Sequence, residues 1–185
     1  LQNPTTGQCM TLYCANAAEH YKGGVNTRDV IREALTNSIH AGGKIITVDL
    51  HFSEKQQELS PGSEERRVLE QITITDDGEG FTPENLNYFD EICTSHKDNI
   101  GGKGVGRLAF LKYANKVHIS SQLANERVEF WYTPDFKPDD VKKSATQGAA
   151  NTCITLSDLK EKVNTQVAKL VNSICDDLRL AEIFH

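Results

Sequence analysis

The chain has 185 residues, enough for one domain with its own apolar core and no need of disulfides or a structural metal. Hydrophobic residues make up 38% and charged residues 25%, a globular composition rather than that of a disordered protein. The net charge of −6 argues against a surface that grips nucleic acid by neutralising phosphates, and no apolar run approaches the roughly 20 residues that cross a bilayer.

Cys9, Cys14, Cys93, Cys153 and Cys175 are scattered, odd in number and never spaced CxxC, which suggests neither a zinc site nor a disulfide framework and fits a reducing cytoplasm. Leu1 rather than Met stands first, so a piece of a longer protein is expected.

From Asn26 to Ala41 the sequence predicts a helix, with Asn26 as N-cap, Asp29 in the first turn and Gly42-Gly43 ending it. Its expected apolar stripe is Val30, Ile31, Ala34, Leu35 and Ile39. Residues 44–52 alternate, with Ile46, Val48, Leu50 and Phe52 on one face of a strand. A polar loop leads to a second strand ending in ITITD, and the two are expected to form an antiparallel hairpin. The segment TPENLNYFDEIC reads as a helix with Thr82 as N-cap and Pro83 at its first position. TSHKDNIGGKGVG reads as a loop, since four glycines stand in its last six residues.

RLAFLKYA reads as helical, and KVHISS and ERVEFWYT as a strand pair. PDFKPDDVKKSATQGAA is expected to be irregular and TCITLS to be the last strand. Leu159, Val163, Val167, Leu170, Val171 and Ile174 recur at spacings of three and four, predicting a terminal amphipathic helix over 158–185. The expected class is α+β: a single domain over 1–185 with its core at about 26–157, built as a two-layer α/β sandwich. Helices would cover one face of a mostly antiparallel, mixed sheet.

Chemistry concentrates in four places. Glu33 and Asn37 are four apart, so both project from one helix face, where a carboxylate can take a proton from water and an amide oxygen can hold Mg²⁺. By themselves they are also what any exposed helix face carries. DDGEGF follows the second strand, and Asp76 continues the Ile72, Ile74 series, so its carboxylate is expected to point inward and to need donors. An adenine exocyclic amine is such a donor, and Gly78 and Gly80 would let backbone pass close to a flat base. A calcium loop is the poorer reading, because Thr73 and Thr75 fall where acidic ligands belong.

GGKGVGR stands before a helix, where successive amides can hold a phosphate and where Lys97, Lys103 or Arg107 could add charge. It is no P-loop, since no GK[ST] follows at the required spacing, and the GxGxxA match at Gly104, Gly106 and Ala109 follows a loop rather than a strand. Thr152 shares the parity of Ile154 and Leu156, so its hydroxyl is expected to face inward and assist Asp76 through a water.

In this order, the four elements resemble the GHKL superfamily of ATPases, which includes gyrase-type topoisomerases, the large heat-shock chaperone, histidine kinases and mismatch-repair ATPases. The resemblance spans Glu33 to Thr152 and implies a Bergerat fold that binds Mg·ATP. In EALTNSIHA it implies Glu33 as the water-activating base, Asn37 as the magnesium ligand and Ala41 beside the nucleotide. In DDGEGF it implies that Asp76 binds adenine while Gly78, Gly80 and Phe81 line the base. TSHKDNIGGKGVG resembles the ATP lid, which puts Lys97, Gly101, Gly102, Lys103, Gly104, Val105 and Gly106 near the phosphates. Thr152 stands where relatives carry a Gly-Thr pair, with Asn151 in the glycine's place, and His40 stands where many relatives carry Asp.

Histidine kinases of the superfamily usually carry Asn at the position of Glu33, so the resemblance favours hydrolysis over transfer to histidine. In such relatives ATP closes the lid and reshapes neighbouring domains, which implies slow turnover, downstream domains as partners and room for a homodimer in the full-length protein. A histidine-kinase-type catalytic domain and a nucleotide-responsive interaction module with little hydrolysis are the alternatives. The run GGKGVGRLAFLKYANKV also resembles large bacterial ATP-binding proteins with this domain at the N-terminus. Nucleic acid and membrane are not indicated as partners.

Overall fold

The structure, a computed structural model, describes residues 24–53, 66–90 and 106–183. Lys97, Gly101, Gly102, Lys103, Gly104 and Val105 lie outside the described residues, as do most of the polar loop after Phe52 and the last residues of the helix expected to reach Cys93.

Helix α1 (Thr27–His40) starts at a capping box. The Asn26 side chain accepts from the amides of Arg28 (2.9 Å) and Asp29 (3.2 Å), and Asp29 accepts in return from the Asn26 amide (3.0 Å). Gly42 ends it at φ +75°, a conformation that favours glycine. The stripe buried on α1 is Val30, Ile31, Ala34 and Ser38, with Leu35 partly buried. Ile39 is 63% exposed, so the expected stripe is corrected at its last member: spacings of four from Val30 and Ala34 bring Ser38 inward.

Strands β1 (Ile46–Phe52) and β2 (Arg67–Asp76) pair antiparallel, as expected. Helix α2 (Pro83–Asp90) follows, its start capped by the Thr82 hydroxyl, which accepts from the Asn85 amide (3.0 Å). Helix α3 (Leu108–Tyr113) is short and buried nearly all round, which explains its apolar sequence. Strands β3 (Ala114–Leu123) and β4 (Glu126–Trp131) form the next hairpin.

The stretch expected to be irregular holds a 3₁₀ turn (Pro138–Asp140) and an exposed edge strand, β5 (Lys142–Ala145), whose paired lysines and lack of apolar alternation hid it. Strand β6 (Asn151–Leu159) is not the last, because the two-residue β7 (Asn164–Thr165) pairs with β2. The terminal helix, α4 (Val167–Ile183), therefore begins later than 158: Leu159 ends β6 and Val163 lies in the connection. Both pack on the core, so they imitate a helical period without belonging to a helix.

The sheet runs β1-β2-β6-β3-β4-β5, and every pairing among the described residues is antiparallel, a more uniform sheet than the mixed one expected. Its inner face carries Ile72, Ile74, Ile154, Leu156, Val117 and Ile119, buried against Val30, Ile31 and Ala34 of α1 and the apolar side of α3. The outer face is largely polar, with Thr47, Thr75, Cys153, Ser120 and Glu129 in one cross-strand row and the exposed ring of Trp131 beside His118. This is the two-layer α+β sandwich, with helices on one face.

Candidate functional site

Strand alternation turns polar at one end of the inner face. Where β2 and β6 would next place apolar residues, they carry Asp76 and Thr152, directly paired, and β3 adds Ser121 opposite Thr152. Asp76 is 5% exposed, so its carboxylate needs donors. Two are provided: the Ser38 hydroxyl donates to Oδ2 (2.7 Å) and the Gly78 amide to Oδ1 (2.9 Å). One bond per oxygen leaves acceptor capacity on both.

The turn after Asp76 is stitched to the end of α1. Amides of Lys44 (2.6 Å) and Ile45 (2.8 Å) donate to Asp77 Oδ1, the Asp77 amide to the Ile45 carbonyl (3.3 Å), and the Glu79 amide to the Ala41 carbonyl (2.9 Å). Hydrogen bonds from the Ile45 and Lys44 amides hold the Asp77 carboxyl below the usual carboxylate range. A Cβ on Gly78 would stand 2.8 Å from the Ala41 carbonyl oxygen and 3.0 Å from its Cβ. Gly80 adopts φ +72°, and a Cβ there would collide with the Ser121 hydroxyl. Within the protein itself, packing and backbone geometry therefore already require both glycines, before any close approach by a base is considered.

Phe81 donates its amide to Ser121 Oγ (3.0 Å), and its ring joins Phe89, Phe130, Tyr132 and Phe136 in an edge-to-face cluster. The Arg107 guanidinium lies over the Phe89 ring at 5.1 Å, joining the start of α3 to the end of α2.

Glu33, Asn37 and Ala41 follow one another at spacings of four along α1 and its cap. The Asn37 amide nitrogen donates to Glu33 Oε1 (3.1 Å), and Gly106 is so close to the Glu33 carboxylate that a Cβ would overlap it. The stripe thus runs from Gly106 at one end to Gly78 at the other, with Ser38 tying it to Asp76. So the structure brings together the candidates it describes: Glu33, Asn37, Ala41, Asp76, Gly78, Gly80, Phe81, Gly106 and Thr152. Two surface clefts, one beside Arg28, Lys169 and Asn172 and the other beside Val68, Asp158 and Lys162, contain none of them.

The sequence reading passed over Ser38, Asp77 and Ser121. The signal for the serines was a polar residue at an apolar beat: 30, 34, 38 on α1 and 117, 119, 121 on β3. Asp77 gave no such signal, since an exposed Asp beside a glycine is ordinary turn composition.

These features define a two-layer α+β domain with one polar corner on the inner face of its sheet. The chain belongs to the family described as "Histidine kinase-, DNA gyrase B-, and HSP90-like ATPase", whose pattern matches residues 25–167. No curated protein matches the sequence. Among solved structures, one described as the N-terminal domain of a DNA repair protein is similar at 18% identity and a TM-score of 0.46, over 72% of this chain. The chain spans 36% of the length of that structure. Among the described residues, no helix is long and apolar enough to cross a membrane.

Proposed function

We propose that this domain binds ATP with Mg²⁺ and hydrolyses it slowly, the base seated on Asp76 and the phosphates lying toward Gly106. The observation that carries this reading is the continuity of the site. A buried acceptor at Asp76 is joined through Ser38 to a helix whose next turns present Asn37 and Glu33, and Glu33 rests on the last glycine of the glycine-rich stretch.

The residues fit a magnesium nucleotide. Among the described residues, no group of three or more His, Cys, Asp or Glu could hold a cation alone. One amide oxygen suits an ion that keeps several waters and takes other ligands from phosphates. With its nitrogen engaged by Glu33, the amide oxygen is the atom Asn37 has left to act as a ligand. When bound, Mg²⁺ neutralises phosphate charge. Asp76 accepts the exocyclic amine, Thr152 assists at the same edge, Gly78, Gly80 and Phe81 flank the base, and Glu33 takes a proton from the attacking water. Lys97, Gly101, Gly102, Lys103, Gly104 and Val105 complete the phosphate side in this proposal. A reducing cytoplasm suits the free thiols of Cys153 and Cys175. The output, by the same resemblance, is a conformational change passed to further domains of a longer protein, with a homodimer as one form of assembly.

Melting with and without Mg·ATP tests binding: a ligand at 100 times its Kd adds about 2.7 kcal/mol of stability. Asp76→Asn is expected to abolish that shift. Glu33→Ala is expected to keep it while phosphate release falls at least about 100-fold, the usual scale for losing a general base. Full turnover by Glu33→Ala would refute the hydrolytic assignment. A second reading, nucleotide response with little hydrolysis, is favoured by the Glu33 carboxylate, one oxygen of which already accepts from the Asn37 amide. Binding without phosphate release in the wild type would select it.

A further inference from the structure

Ser121 stands on the inner face of β3, where Val117 and Ile119 precede it at the strand's spacing of two, and it is 1% exposed. A hydroxyl buried so deeply needs bonds of its own. Its oxygen accepts the Phe81 amide (3.0 Å), and it lies 3.0 Å from the Thr152 hydroxyl and 3.4 Å from the Asn151 carbonyl oxygen.

Ser121 has one proton to give, and the Phe81 amide can only donate to it. The proton therefore goes to Thr152 or to the Asn151 carbonyl, and Thr152 is the nearer. A threonine that receives it must turn its own proton elsewhere. Among the described residues the Thr152 hydroxyl has no other hydrogen bond, and its remaining cross-strand neighbour is Asp76.

The geometry points to Ser121 as a positioning residue that sets base specificity: by donating to Thr152 it fixes Thr152 as a hydrogen-bond donor beside the Asp76 acceptor. An acceptor next to a donor matches the adenine edge, whose exocyclic amine adjoins the ring nitrogen N1. Hypoxanthine presents the reverse order, a carbonyl oxygen beside an N–H, and meets like with like. Without Ser121 the Thr152 hydroxyl turns freely, so its proton is no longer held toward N1 and its oxygen can accept the N–H of hypoxanthine. This inference rests on the reading of Asp76 as the group that binds the base.

The test is equilibrium binding of ATP, 1-deaza-ATP and inosine triphosphate to the full chain, as wild type, Ser121→Ala and Ser121→Cys. The deaza analogue keeps the amine but has C–H in place of N1. Wild type is expected to bind it about 3- to 10-fold more weakly than ATP, the value of one hydrogen bond. In Ser121→Ala that gap is expected to close to under about 2-fold, and the preference for ATP over inosine triphosphate to narrow, because protein group and ligand atom are coupled. An N1 penalty of the same size in both proteins overturns the role, since a merely structural serine weakens all three nucleotides alike.

Ser121→Cys keeps nearly the same shape with a weak donor and covers the case in which the alanine variant does not fold. An intermediate gap is expected, and a gap of wild-type size overturns the proposal. Tight ATP binding by the wild type with no N1 penalty also overturns it while leaving the Asp76 reading intact. Failure of the wild type to bind any of the three overturns that reading instead.

Discussion

At the end of β2 a carboxylate occupies the place where the strand's alternation would otherwise put another Ile. Its parity with Ile72 and Ile74 is legible from sequence, because a strand alternates faces at every residue. Its donor is not. Ser38 reads as a gap in the apolar stripe of α1, and only the packed fold shows that the gap is filled by a hydroxyl donating to Asp76. Ser38→Ala is therefore expected to lower unfolding free energy by about 1 to 3 kcal/mol, the cost of leaving a buried charged acceptor short of a donor. Urea denaturation measures it, and a change within about 0.5 kcal/mol, typical of a surface site, would contradict the burial argument. Gly106 makes the complementary case. A glycine at a helix start reads as conformational freedom, yet here it leaves room for the Glu33 carboxylate. Gly106→Ala is expected to displace Glu33 and lower phosphate release at least about 10-fold, a small misplacement being costly to catalysis. Unchanged turnover would show that the Glu33 position is not set by this contact.

Two elements meet at Asp77, where the end of α1 and the turn after β2 are joined by the Lys44, Ile45 and Glu79 amides. The folded carboxyl titrates below its ordinary value of 3.8, so its contribution to stability is fully present above that value and is lost as pH falls through the lower folded value. Asp77→Asn should therefore be less stable than wild type at pH 7, with the gap shrinking below 3.8. Denaturation at a series of pH values reads this directly, and a gap independent of pH would remove the charge from the explanation. Phe89 joins another set of elements, its ring meeting Phe81, Phe130, Tyr132 and Phe136 beneath Arg107. Phe89→Leu keeps an apolar side chain but loses the aromatic geometry, for an expected loss of about 1 to 2 kcal/mol by denaturation. No loss would mean that the ring contacts add nothing beyond burial. Helix and strand periods located α1, β1 and β2 well, because each buries one face on its own. They failed for β5 and for the start of α4: an edge strand of exposed residues has no apolar beat, and apolar residues from a strand and a loop can fall by chance at helical spacing.

In the whole molecule, the order β1-β2-β6-β3 inserts a late strand between two earlier ones, and this brings Asp76, Thr152 and Ser121 side by side. Parity in the sequence assigns each of them a face but says nothing about neighbours across strands so distant in the chain. The family resemblance related Asp76 to Thr152, but it said nothing of Ser121, whose place emerges only from the register. The same crossing ties both halves of the chain into one core, which α4 joins through Ile174 and the partly buried Leu170. The proposal of a single domain has a direct consequence: α4 and the sheet unfold together. The chain's one tryptophan, Trp131, reports on the sheet from its outer face, while far-UV circular dichroism includes the helices. Both signals are expected to follow one thermal transition with a common midpoint. An earlier loss of helical signal, with Trp131 fluorescence still native, would instead make α4 a separate unit docked on a core that stands without it.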